Sequence, residues 1–195
     1  MASGPVRQAR GEERIDEILR ATLDVIRREG LGAVTHRSVS EECGVPLGSL
    51  TYYFASKQEL LRAALRLFVA EDVDRLRATA EELLARGAAG PEVVERFAAV
   101  LESEQTGGVA QFELYLEASR DPDLRQTAIE SLRVYGEVAE LALRAAGVPD
   151  PAAAASIVVA AIDGMGLHRL AAGPEAPQLA PALERLWRAL VAQSG

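Results

Sequence analysis

"GVPLGSLTYYFASK", residues 44–57, decides how this chain is built. Leu50, Thr51, Tyr52, Tyr53 and Phe54 favour strands, yet strongly helical sequence surrounds them. The flanks resolve the conflict. Pro46 follows Gly44 in a turn, and Ser56 with Glu59 forms the S-x-x-E capping pattern that starts a new helix near Lys57. Only about eight residues lie between turn and cap, with no candidate partner strand nearby, so a short helix held by tertiary packing is favoured over an isolated strand.

Working outward, Ile15, Ile18, Leu19, Thr22 and Ile26 share one helical face and Gly30 supplies a C-terminal cap, which predicts a helix over about residues 11–29. Thr35 can cap a short helix that ends at about Cys43, with Val39 turned inward and Gly44 as its stop. Val39, Val45, Leu50 and Phe54 are the expected core. Two short helices joined by a tight turn match the helix-turn-helix, whose second helix enters the major groove of DNA.

Downstream, the helix from Lys57 runs to about Arg86, where Gly87 and Gly90-Pro91 break it. At 1.5 Å per residue it is roughly 45 Å long, enough to connect two parts of the molecule. Helices follow over Pro91–Gln105, with Val94, Phe97 and Leu101 on one face, and over Val109–Arg120, where Phe112, Tyr115 and Leu116 cluster. Asp121-Pro122 and Asp150-Pro151 each open a further helix, to about Ala146 and Ala172. The Ala172 helix is apolar on nearly all sides, the pattern of a helix buried between two layers. A last helix over Pro181–Gln193 carries Leu183, Leu186, Trp187, Leu190 and Val191 as a stripe.

The reading is all-α: nine helices and no strand. Residues 1–11 form a flexible N-terminal arm, residues 12–56 a three-helix helix-turn-helix domain, and residues 57–195 a C-terminal helical domain.

Composition agrees. The chain has 195 residues, few aromatics and one cysteine, Cys43, which excludes an intrachain disulfide framework. The N-terminus lacks the apolar core of a secretory signal, and the longest apolar run, Ala152–Ile162, is too short to span a bilayer, so a cytoplasmic location is expected. A net charge of −8 argues against a polyanionic partner until its distribution is considered. Residues 1–60 hold eight Lys/Arg against nine Asp/Glu, and residues 61–195 hold thirteen against twenty. The acid lies mostly outside the helix-turn-helix.

The run "AVTHRSVSEECGVPLGSLTYYFASKQELL", set behind one amphipathic helix and ahead of a long one, resembles the DNA-binding domain of the TetR family of transcriptional regulators. The resemblance is specific over about residues 12–68. Beyond that it is architectural, with "DPDLR" at Asp121 and "DGMGLHRL" at Asp163–Leu170 as weaker echoes. It implies a phosphate-contacting cap at Thr35, with Arg37 and Ser38 facing the backbone beside it. Gly48 would permit close approach, Leu47, Ser49, Thr51 and Tyr52 would reach base edges and thymine methyls, and Tyr53 and Lys57 would anchor phosphates. Tyr52 and Tyr53 could also brace the turn with buried rings. Where the family usually carries alanine before the turn glycine this chain has Cys43, which is expected to pack as a small core residue.

One short helix reaches only a few base pairs and gains specificity by dimeric symmetry, so a homodimer through the last two helices is expected, the Ala152–Ala161 face and the Leu186-Trp187-Leu190 stripe forming a four-helix bundle with the partner. Phe97, Leu101, Phe112, Tyr115, Tyr135 and Met165, with Asp163 and His168 as polar groups, are the candidates for a pocket that takes a small organic effector. Arg133 is either an anion contact or a surface salt bridge. The function so implied is a regulator, a repressor by preference, released from a palindromic double-stranded operator by that effector. No cofactor and no membrane partner is expected. A catalytic set is not evident, since there are two histidines, one cysteine, no phosphate-cradling glycine loop and no metal-ligand cluster. The alternative is a helical protein-interaction adaptor, which would leave Gly48–Tyr53 and Lys57 unexplained.

Overall fold

Pro5 opens the first helix, because its fixed φ suits a first turn and its missing N–H would have no partner there. In the computed structural model, which describes residues 5–103 and 107–192, α1 spans Pro5–Glu29. The expected arm is therefore helical from Pro5 onward. Gly11, read as the upstream limit, lies inside the helix, where glycine costs only about 1 kcal/mol relative to alanine. Residues 1–4 lie outside the described ones, as do Gln105 and Gln193, which the sequence placed at two helix ends.

Gly30 ends α1 with φ 82°, and a 3-10 turn, Leu31–Ala33, leads to α2, His36–Cys43. Thr35 caps α2: its Oγ1 accepts the Ser38 N–H at 3.0 Å, while the Ser38 Oγ accepts the Thr35 N–H at 2.9 Å. Gly44, at φ 68°, turns the chain in the left-handed region that glycine enters without steric cost. The disputed stretch is α3, Leu47–Tyr53, whose first turn is closed by the Ser49 and Leu50 N–H groups on the Pro46 carbonyl at 2.8 and 3.1 Å. The S-x-x-E pattern then caps the helix from Lys57, with its glutamate reaching one residue further back than in a capping box. The Glu59 N–H donates to Ser56 Oγ at 3.1 Å, and the Glu59 carboxylate accepts the Ala55 N–H at 2.9 Å.

The remaining helices are α4, Lys57–Arg86; α5, Gly90–Ser103; α6, Gly107–Ala118; α7, Pro122–Ala145; α8, Pro151–Ala172; and α9, Leu179–Ala192. That makes nine α-helices and no strand among the described residues. The bounds of α4 and α8 are those read from the sequence.

Contacts divide the chain into two units, residues 1–68 with 109–128, and residues 69–108 with 129–195. The first unit is a three-helix head with α6 and the start of α7. In the head α1 packs against α2 and the 3-10 turn, and α2 against α3. Val39, Val45, Leu50 and Phe54 are buried as expected, together with Ile18, Ile26, Leu60 and Leu65. Leu114 of α6 and Leu124 of α7 are equally buried.

In the second unit α9 packs against α5 and α8. Leu179 and Leu183 join Ala98, Val94, Leu101, Ile162 and Met165 in one cluster. Trp187, from the stripe expected at the dimer surface, packs within its own chain. It lies between two clusters of its own chain, one with Leu143, Val148 and Ala155, the other with Leu83, Val93 and Phe97, and its indole N–H donates to the Ala146 carbonyl at 2.9 Å. An indole needs a partner for its N–H when buried, and here the half-buried ring finds it inside its own chain.

A correction concerns α8. Only Ala154 and Ala155 of this helix are buried. Ala153, Ile157, Ala160, Gly164, Leu167 and Ala171 recur at helical spacing on one exposed stripe, with Ile157 57% and Leu167 53% exposed. Hydropathy reports that a face is apolar and not whether the same chain covers it. By length and composition alone the segment Pro151–Glu175 is also apolar enough to cross a membrane, with mean hydropathy 1.3, which the shorter run Ala152–Ile162 did not show. Asp163 stands in its middle, however, and Arg169 donates to Glu102 of α5 at 3.2 Å. An ionisable group at mid-helix is costly in hydrocarbon.

Candidate nucleic-acid interface and effector groove

The residues expected to touch DNA come together on α2, α3 and the start of α4. Thr35 and Arg37 are exposed at the start of α2 and Ser38 is half-buried. Leu47, Gly48, Ser49 and Thr51 are exposed along α3, and Tyr52 is 84% exposed. That exposure removes the bracing role for Tyr52. Tyr53 is half-buried and its ring forms a T-shaped pair with that of Tyr52, with centroids 5.4 Å apart and planes at 77°. Such a T-shaped pair limits where the Tyr52 ring can point.

Gly48 has ordinary helical backbone, and a Cβ built there meets nothing within 4 Å. Glycine inside a helix costs about 1 kcal/mol, and no neighbour in this chain requires it. Lys57 is half-buried, with its ammonium donating to the Leu31 carbonyl at 3.1 Å. Cys43 is half-buried with its thiol on the Val39 carbonyl at 3.0 Å, a packing position at the end of α2.

The charges of the head are closely balanced. Arg14, Arg20, Arg27, Arg28 and Arg37 each pair with a carboxylate. Arg28 holds Glu42 through two hydrogen bonds, at 2.7 and 3.1 Å, and this contact lowers the Glu42 carboxyl below its usual range. Arg37 meets Glu41 at 3.0 Å across one helical turn and remains largely in solvent.

Glu113 of α6 escaped the sequence analysis. Its carboxylate accepts the N–H of Leu31, the donor left over where α1 gives way to the 3-10 turn, and lies 3.1 Å from where a Cβ on Gly30 would stand. The same peptide segment is therefore held from both sides, its N–H by α6 and its carbonyl by Lys57 of α4. A glutamate 82 residues away on a helix of mixed polarity gives no periodic signal that could have revealed this.

The effector candidates are dispersed. Leu101 and Met165 pack in one core cluster and Phe97 in another, while Phe112 and Tyr115 lie half-buried on α6 in the other unit. The Tyr135 hydroxyl donates to Asp72 of α4 at 2.7 Å, and His168 is exposed. Asp163 lines a groove of about 520 Å³ between α7 and α8, with Leu132, Arg133, Gly136 and Glu137 on one wall and Ala155, Ser156, Val159 and Ala160 on the other. Burial pushes the Asp163 carboxyl up to about 6, since the charged form loses hydration there. Arg133 forms an ion pair with Glu137, the surface role left open above.

Two family profiles cover most of this architecture. Residues 18–64 match bacterial regulatory proteins of the tetR family, and residues 91–193 match the tetracyclin repressor-like C-terminal domain. Among solved structures, the TetR-family member SCO1917 from Streptomyces coelicolor A3 is 32% identical, with 91% of this chain and 98% of that one aligned at a TM-score of 0.71. The multidrug binding protein EbrR, in complex with ethidium, is 31% identical over 91% of this chain and 98% of that one, with the same score. HdnoR of Paenarthrobacter nicotinovorans, a nicotine-responsive transcriptional repressor, is 27% identical over 59% of this chain and 61% of its own length. Alignments with the curated relatives span between 25% and 61% of those proteins. The capped α2, the turn at Gly44, the uncharged exposed α3 and the long α4 thus coincide with a profile for the head, and a second profile covers the helices that follow; the chain belongs to the TetR family of helix-turn-helix transcriptional regulators.

Proposed function

We propose that this protein represses transcription as a cytoplasmic homodimer bound to a palindromic operator, and that an organic cation held near Asp163 releases it. The observation that carries the DNA-reading role is α3 itself, whose exposed side presents Leu47, Ser49, Thr51 and Tyr52 around a glycine that its own chain does not require. Close approach of another molecule's backbone or base edges is the use such a glycine has. Thr35, Arg37, Ser38, Tyr53 and Lys57 border that face and supply phosphate contacts.

Dimerisation rests on the exposed stripe of α8. Small residues at Ala153, Ala160 and Gly164 allow a partner helix to approach closely, while Ile157 and Leu167 give it apolar area to cover. Because α9 turns Leu183 and Trp187 inward, α8 forms the centre of the interface and α9 flanks it.

The effector reading rests on the α7–α8 groove, which combines apolar walls with a carboxylate that burial already makes costly to ionise. A bound cation compensates that cost. EbrR supports the ligand class, having been solved with ethidium and with malachite green. Since Asp163 titrates near 6, its ionised fraction rises about tenfold between pH 5 and pH 7.5, and ethidium affinity is expected to rise in the same proportion. Fluorescence titration of the wild type and Asp163→Asn checks this. A flat pH profile in the wild type, or an unchanged one in Asp163→Asn, removes Asp163 from the site.

Release requires the effector to favour a DNA-incompetent arrangement. α4 and α7 each run from one unit into the other, so a ligand that shifts α7 acts on a helix continuous with the head unit. Selection of binding duplexes from random DNA tests the whole reading. A recovered palindrome with two half-sites supports it, and failure to enrich any duplex favours the adaptor.

A further inference from the structure

The seven residues of α3, LGSLTYY, contain no Arg, Lys, Asn, Gln, Asp or Glu. Arg, Lys, Asn and Gln form the paired hydrogen bonds that read guanine and adenine in the major groove, and Asp and Glu accept from cytosine. Thymine is the exception, because it presents a C5-methyl group that apolar side chains recognise by contact.

The exposed groups of α3 suit that chemistry. Leu47 stands at the N-terminal end, the part of a recognition helix that meets base edges, and is 46% exposed although it is a large apolar side chain. One turn on, Thr51 is exposed, but its hydroxyl is bonded back to its own helix, 3.1 Å from both the Leu47 and Gly48 carbonyls. With its proton so placed, Thr51 has no hydroxyl proton to give a base, and it offers its γ-methyl together with an oxygen that can only accept. Gly48 lies between them and adds no bulk that would hold the helix away. The nearest cation on α2, Arg37, is paired with Glu41 and sits on the helix that crosses the phosphate backbone.

We infer that α3 reads its half-site through thymine methyl groups, with Leu47 as the principal specificity-determining residue and Thr51 as the second. This rests on the DNA-reading role proposed above and adds the chemistry of the operator. Half-sites hold thymine at the positions facing Leu47 and Thr51.

The test compares the selected duplex with a copy in which half-site thymines are replaced one at a time by deoxyuridine, which removes the methyl and leaves every hydrogen-bonding group. Burial of one such carbon is expected to change affinity about fourfold, and about fifteenfold when both half-sites are changed together. In Leu47→Ala, whose side chain is exposed and not part of the core, the thymine-to-uracil ratio at the Leu47 position is expected to fall to about one while the ratio at the Thr51 position persists. Circular dichroism confirms the fold of the variant. Equal binding of thymine and uracil duplexes overturns the inference and leaves the DNA-reading role standing. An undiminished ratio at every position in Leu47→Ala overturns the assignment to Leu47. Failure to recover any duplex overturns both.

Discussion

Trp187→Ala is expected to destabilise the second unit by about 3–5 kcal/mol, the range for removing a large aromatic from a packed site. Trp187 bridges the clusters around Leu143 and Leu83, so its loss leaves a cavity shared by α4, α5, α7 and α8. Trp187→Phe keeps much of the packing and loses the hydrogen bond to the Ala146 carbonyl, a change of about 1 kcal/mol. Gly90 gives an independent check. A Cβ there would stand 2.8 Å from the Ala146 carbonyl oxygen and closer still to the Trp187 ring, so Gly90→Ala is expected to cost about 1–3 kcal/mol although it adds only one carbon. Chemical denaturation of the three variants measures this. A Gly90→Ala protein as stable as the wild type would show that the α5 start and the Trp187 ring do not meet.

The second large effect is on assembly. Ile157→Asp places a charge on the exposed α8 stripe at a side chain that is 57% exposed and belongs to none of the core clusters described above. A charge in the apolar centre of an interface, without a partner, costs several kcal/mol, enough to turn a micromolar dimer into a monomer at ordinary working concentrations. Sedimentation is expected to show a dimer for the wild type and a folded monomer for Ile157→Asp, and the monomer to lose binding to a two-half-site operator by about a thousandfold. A dimer that survives the change moves the interface away from α8.

The local rules of the chain were legible because their signals are local. Thr35 with Ser38, Ser56 with Glu59, and the Asp150-Pro151 pair each act over three or four residues, and α2, α4 and α8 begin where these devices place them. The helical state of the aromatic stretch could be read for the same reason, since Pro46 and Ser56 bound it on both sides. What the sequence could not distinguish was which apolar surfaces meet. Trp187 and the α8 stripe look alike as periodic hydrophobic faces, yet one is half-buried against two clusters of its own chain and the other is open. Phe97, Leu101 and Met165 look like pocket residues for the same reason, and they are packed in two separate clusters. The grip of Glu113 on the Leu31 N–H depends on a fold that brings α6 to the head, and no sequence window contains both.

That grip has a consequence for the order in which the protein acquires its shape. The head unit is discontinuous, made of residues 1–68 and 109–128, and Leu114 and Leu124 are fully buried in it. A ribosome that has released only the first 68 residues has produced every side chain proposed to touch DNA, but not the helix that accepts the Leu31 N–H. The complete head therefore waits for a further sixty residues, 69–128, to emerge. At about 5–20 residues per second this is a delay of roughly three to twelve seconds. A nascent chain therefore carries its DNA-reading residues for some seconds before it has the α6 contact on the turn that precedes them.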